Sequence, residues 1–163
     1  MNLLKLSFFS VVFLFIIISS IGILLPPTVL VSRATNILAT KDSILGYIKN
    51  IEEWREWIEG MQQTTVKIIS PTCADLAGTT LLINFISDSL ITSTWTSQKG
   101  NVQTSTIRII GDSLQKLTVV QWQFEQKLKW YPWERLGSMM NDNILGSMME
   151  KNLNNLKSIV EKK

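Results

Sequence analysis

The chain opens on LSFFSVVFLFIIISSIGILL, Leu6 to Leu25, a run without a charged residue. About twenty apolar residues at about 1.5 Å each match a hydrocarbon layer of about 30 Å, so the run predicts a transmembrane helix. It is longer than the apolar core of about 7 to 15 residues in a cleaved leader, and no small-x-small cleavage site precedes Pro26 and Pro27. Those prolines end the helix, because proline lacks the N–H of the helical ladder and pushes its predecessor toward extended geometry. The pattern therefore divides the chain into a membrane anchor over residues 1–27 and a single domain over 28–163 with almost no linker.

Beyond the prolines the periodicity changes. Thr28 to Ala39 is β-branched and predicts a strand. Thr40 then stands where it caps a helix, with Asp42 in the first turn and Ile44, Ile48 and Ile51 on one face at i, i+4, i+7. After Gly60 five β-rich runs follow: Thr64 to Ser70, Thr79 to Ile86, Leu90 to Thr96, Val102 to Ile110 and Leu117 to Glu125. Between them lie turn-rich pieces such as SPTCADLAG, SQKGN and GDS. In the last run Thr118, Val120, Trp122 and Phe124 alternate with Val119, Gln121, Gln123 and Glu125, the period of an antiparallel sheet with one wet face. Pro132 offers a helix start, and Leu145, Met149, Leu153, Leu156 and Val160 make a single stripe along a long final helix. Such a stripe must be buried, and the surface available is the concave face of a twisted sheet. The expected fold is α+β, a curved antiparallel sheet gripping the carboxy-terminal helix behind one transmembrane helix.

Composition narrows the chemistry more than it selects one. The 16 Lys and Arg against 13 Asp and Glu are scattered, without the basic stripe of a nucleic-acid binder. The chain has no histidine and one cysteine, Cys73, which removes an intramolecular disulfide, a structural zinc site and every Ser-His or Cys-His dyad. No Asp or Glu falls in a recognisable catalytic pair or metal-ligand cluster, so neither a catalytic set nor a metal or cofactor is expected.

Two aromatic strings stand out. KNIEEWREWIEGM places Trp54 and Trp57 one helical turn apart among glutamates, either as a structural plug against the sheet or as part of a ligand entrance. KLKWYPWER sets Trp130, Tyr131 and Trp133 among Lys127, Lys129 and Arg135, either packed back on the sheet or presented to a membrane surface or a pocket rim. Charge around the apolar run nearly balances, with Lys5 on one side and Arg33 and Lys41 on the other. The short charged tail favours an inside amino terminus and an extracytoplasmic domain on a single-pass membrane protein.

The order of elements, with VSRATNILATKDSILGYIKNIEEWREW at the start and QWQFEQKLKWYPWERLGSMMNDNILGSMMEKNLNNLKSIVEK at the end, resembles the SRPBCC superfamily. This superfamily is also called START-like or Bet v 1-like, and the likeness lies with its polyketide cyclase/dehydrase and lipid-transport group. The likeness covers most of 28–163, and a form with an amino-terminal anchor occurs in the group. Two departures are visible: Thr40 replaces the usual proline after the first strand, and Ser70 to Ser97 is short, which implies a reduced hairpin. The resemblance implies a helix-grip domain holding an apolar small molecule or lipid-like ligand between sheet and helix. Trp54, Trp57, Phe85, Trp95, Trp122, Phe124, Met140, Met148 and Met149 are the candidate wall, with Met139 beside them. The alternatives are a ligand-free interaction domain, its protein partner unspecified, and a cyclase- or hydrolase-like enzyme using pocket carboxylates. The name cyclase describes a minority of the group, and fold alone does not license an enzyme.

Overall fold

The computed structural model describes residues 3–24, 26–111, 116–129 and 131–162. An apolar helix, α1 (Leu3–Leu24), precedes β1 (Thr28–Ile37), the short helices α2 (Lys41–Ile48) and α3 (Trp54–Trp57), and a meander. The meander comprises β2 (Val66–Ser70), β3 (Cys73–Leu76), β4 (Thr79–Ile86), β5 (Leu90–Thr96), β6 (Val102–Ile110) and β7 (Thr118–Lys127), and α4 (Pro132–Glu161) closes the chain. Among the described residues the strands form one antiparallel sheet in the order β1-β7-β6-β5-β4-β3-β2, so the first strand joins the last and leaves β1 and β2 at the edges.

Period-two alternation sends one set of side chains to the concave face. Val31 and Ile37 of β1, Val120, Trp122 and Phe124 of β7, Ile107 and Ile109 of β6, Ile91 of β5 and Leu81 of β4 are buried there. The stripe on α4 lies against them, with Met149, Leu153, Leu156 and Val160 buried and Leu145 packed at the margin. Ile44, Ile48 and Ile51 from α2 and the following turn are completely enclosed, as their spacing predicts. Thr40 occupies the N-cap position, but its hydroxyl bonds Ser43 Oγ at 2.9 Å instead of a backbone N–H.

Two features depart from the sequence reading. Inside SPTCADLAG lies a strand, β3, paired on both sides, so the middle of the sheet is complete although this strand has only 4 residues. Its hairpin to β4 turns through Ala77 at φ 53 and Gly78 at φ 90, the positive pair of a two-residue turn, with Gly78 N–H donating to Asp75 Oδ1 at 2.6 Å. An alanine stands where asparagine usually marks such a turn, which hides the hairpin from a reader of turn residues.

The second departure is a register shift in β4 between Ile83 and Phe85. One extra residue inverts the facing of everything beyond it. Phe85 pairs with Thr92 on the convex face and is 53% exposed, whereas unbroken alternation from Leu81 places it inside. The expected position of Phe85 in the cavity wall is thereby corrected.

Arg33 fastens α4 to the edge strand. Its Nε donates to Glu150 Oε1 at 2.7 Å and its Nη1 approaches Asp142 Oδ1 at 3.4 Å, so the guanidinium crosses the helix at Gly146. A Cβ there would meet that guanidinium and displace it. The bond to Glu150 holds the Arg33 guanidinium above its ordinary range, against a lesser opposing effect of burial.

Among the described residues no helix is long and apolar enough to cross a membrane.

Candidate functional site

The two tryptophans of KNIEEWREWIEGM are anchored by helix chemistry. A helix leaves its last four carbonyls without intrahelical partners. In α2 the Leu45 carbonyl takes the Lys49 N–H, while those of Tyr47 and Ile48 point into the interior, where side chains meet them. Trp57 Nε1 donates to Tyr47 O at 3.1 Å and Trp54 Nε1 to Ile48 O at 2.7 Å. One turn of α3 separates the two indoles, so a W-x-x-W spacing closes both carbonyls at once. Glu52, Glu56 and Glu59 of the same stretch face outward.

From this cap a chain of rings crosses the interior. Trp54 lies 5.8 Å from Trp57 and 6.4 Å from Trp95, Trp57 lies 5.5 Å from Trp122, and Phe124 touches Trp95 and Trp122 at 5.5 and 5.4 Å. Sequence reasoning assembled these five from separate elements, and the fold joins all of them. Burying an indole without a partner for its N–H is costly, and the sheet supplies partners on its concave face. Trp122 Nε1 donates to Ser105 Oγ at 2.8 Å, and Trp95 Nε1 to Ser93 Oγ at 3.2 Å. That accounts for two serines buried among isoleucines.

Beside the rings an apolar cleft opens at the margin of α4. The cleft holds about 210 Å³. Ile58, Met61, Val66 and Leu76 form its sides, Trp95 and Trp122 its floor, and Met148 of α4 its roof. Glu59, Gln63 and Thr65 stand at the lip. Larger hollows of about 370 and 460 Å³ are surface depressions edged by charged residues, Arg55, Glu56 and Lys151 for the first and Lys116 and Glu161 for the second. The first adjoins the cleft, shares Ile58, Glu59, Gly60 and Gln63 with it, and touches Trp57.

The wall Ile58–Thr65 is tied to α4 from both sides of Glu59. Its N–H donates to Asn152 Oδ1 at 3.0 Å, and its carboxylate meets Lys151 Nζ at 2.8 Å. Asn155 Nδ2 adds a bond to Trp57 O at 3.3 Å. Asn152 is fully enclosed and its Nδ2 has no hydrogen-bond partner among the described residues, so a polar group is kept in the core for the sake of the wall it holds.

Of the candidate wall residues, Trp95, Trp122 and Met148 line the cleft. Trp54, Trp57, Phe124 and Met149 lie behind them in the core, and Phe85 is on the opposite face. The side chains of Met139 and Met140 lie outside the described residues, as does Trp130. Tyr131 and Trp133 stack on one another at 5.0 Å with rings 12° apart, and Trp133 is 61% exposed. Ile58, Met61, Val66 and Leu76 were not singled out from sequence. Leu76 belongs to the concealed strand, and Met61 follows Gly60, whose φ of 88° turns the chain back toward the sheet. Among the described residues no group of three acidic or thiol side chains could hold a metal ion.

No family model and no curated protein sequence matches the chain. Solved structures do match in shape. A START superfamily protein from Mycobacterium smegmatis superposes with a TM-score of 0.60 at 16% identity, over 82% of this chain and 97% of the other. Norcoclaurine synthase from Thalictrum flavum gives 0.61 at 11% identity, over 83% and 95%. The di-domain ARO/CYC StfQ from the steffimycin biosynthetic pathway gives 0.62 at 11% identity, over 83% of this chain and 51% of that one. The chain therefore shares its fold with these three proteins.

Proposed function

We propose that this protein is a membrane-tethered SRPBCC-like domain that binds an apolar small molecule, or the apolar part of a lipid-like molecule, in the cleft under Met148. The observation that carries the reading is the cleft's chemistry. Its floor is made of two tryptophans whose N–H groups are already bonded to Ser93 and Ser105, so that floor offers an incoming molecule ring surface and no indole donor. Shape and apolar area then govern recognition. Size sets the scale: an apolar cavity of about 150 Å³ takes up benzene. About 210 Å³ therefore suits one ring or a short branched chain, and a larger molecule must leave the rest of itself at the lip.

In this reading α1 is the tether, on the strength of its uncharged run from Leu6 onward and the exposure of Phe8, Phe9, Phe13 and Phe15 along it. The domain lies on the extracytoplasmic side. Native mass spectrometry of the full chain extracted from its membrane tests binding. A reproducible apolar adduct that disappears in Thr65→Trp, which plugs the lip, is expected; a wild-type chain that is empty in every preparation would refute it.

A second reading has its own support. Trp54, Trp57, Trp122 and Phe124 are buried against one another, as in a domain whose core serves packing alone and whose surface meets a protein partner. It requires that filling the cleft change neither copurifying compounds nor partner capture. An enzyme is favoured by no arrangement of carboxylates in the cleft, where Glu59 is the one acidic residue among the described residues and is engaged by Lys151.

A further inference from the structure

Register fixes which end of the domain faces the membrane. Thr28 pairs with Lys127, Gln126 with Gln103, Val102 with Thr96, Thr96 with Thr80, Thr79 with Leu76, and Leu76 with Val66. The start of β1, the β5–β6 turn, the β3–β4 turn and the start of β2 therefore share one end of the sheet. The apolar helix α1, closing at Leu24, joins β1 at that same end. The first turns of α4 extend past it, because Leu145 already packs beside Val29 and Val31, and Arg135 Nη1 donates to Gly22 O of α1 at 2.8 Å. The stacked Tyr131 and Trp133 thus stand beside the last turn of α1. The strand residues of the cleft, Val66, Leu76 and Trp95, also belong to this end.

From this placement we infer that the mouth of the cleft faces the leaflet α1 enters, and that the partner of this end of the domain is the headgroup layer of an anionic bilayer. From that layer an amphiphile enters tail first between Ala77 and Met148. The inference rests on the tether and the cleft proposed above and adds the source and direction of loading. An exposed tryptophan beside the helix exit suits the interfacial layer, where aromatic rings collect. Lys99, Lys127 and Lys129 are exposed at the same end beside Glu125 and Glu134, the latter accepting the Lys129 N–H, while Asp75 accepts the Gly78 N–H and Glu59 at the lip is paired with Lys151. Basic side chains near the surface draw anionic lipid. A ligand loading along this path keeps its tail out of water, while Glu59, Gln63 and Thr65 meet its polar end at the lip.

The opposite end of β4, at Asp88, lies about 25 Å away along a strand of 8 residues at about 3.3 Å each. This separation allows a direct test on the full chain. In a Cys73→Ser background, single cysteines replace Thr65 at the lip, Lys99 in the β5–β6 turn, or Asp88 at the far end, all exposed positions. Each carries an environment-sensitive fluorophore, and the chain is placed in phosphatidylcholine vesicles containing phosphatidylglycerol and a headgroup-nitroxide lipid. Quenching at 65 and 99 should exceed that at 88 several-fold, and should weaken when phosphatidylglycerol is omitted. Equal quenching at all three, or stronger quenching at 88, overturns the orientation. Flotation of all samples, and adduct analysis of those labelled at 99 and 88, separate the two levels. A chain that floats and keeps its adduct while quenching equally refutes the orientation alone; one that does not float refutes the tether with it.

Discussion

Replacing Trp54 by Phe isolates the capping role of the indole. Phenylalanine keeps an aromatic ring in the stack but cannot reach the Ile48 carbonyl, which now accepts a bond at 2.7 Å in a fully buried setting. An orphaned buried acceptor costs about 1 to 3 kcal/mol. The space vacated by the larger ring adds about 1 kcal/mol. A loss of about 2 to 4 kcal/mol results, or about 10 °C in melting temperature for a domain of this size. Thermal and urea unfolding of the full chain in mild detergent, followed by far-ultraviolet circular dichroism, measures it. Trp133→Phe, at an exposed position, is the control and should stay within about 0.5 kcal/mol of wild type. The reasoning is refuted if the two variants unfold alike.

Three other outcomes follow from the packing. Asn152→Ala should destabilise by about 1 to 3 kcal/mol by stranding the Glu59 N–H, and should speed amide exchange in residues 58–65, the tied wall of the cleft. Gly146→Ala should stabilise by about 0.5 to 1 kcal/mol through helix propensity in an Arg33→Ala background, and by less beside Arg33, because the new methyl displaces the guanidinium; equal effects in both backgrounds would remove the close approach from the explanation. Phe85→Ser should leave both stability, within about 0.5 kcal/mol, and the copurifying adduct unchanged, and loss of the adduct would return Phe85 to the binding wall.

The grip of sheet on helix was legible because its signals are periodic. The stripe on α4 and the alternation in β7 each repeat over many residues, and Ile44, Ile48 and Ile51 mark a face that must go inside. What escaped depends on single residues. An alanine at φ 53 in place of asparagine concealed the β3–β4 hairpin and with it Leu76, and one extra residue near Asn84 moved Phe85 to the other face. Neither leaves a periodic trace. The cluster Trp54, Trp57, Trp95, Trp122 and Phe124 was readable as a set, but its division into a filled core and a lining for the cleft was not. That division follows from which indoles lie behind others, a matter of sheet curvature and of the bonds that orient each ring. Ser93 and Ser105 look like ordinary strand serines until the indole N–H groups they serve are seen.

Fluorine NMR of the full chain labelled with 5-fluorotryptophan, titrated in micelles with its copurified compound or a short-chain apolar probe, reads the cleft residue by residue. Trp95 and Trp122 form its floor, whereas Trp54 lies behind them and Trp133 is outside. Saturable shifts at Trp95 and Trp122, small shifts at Trp54 and none at Trp133 are expected, with all of them lost in Thr65→Trp. Titration that leaves Trp95 and Trp122 unmoved, or that moves Trp133 alone, would contradict a ligand in the cleft.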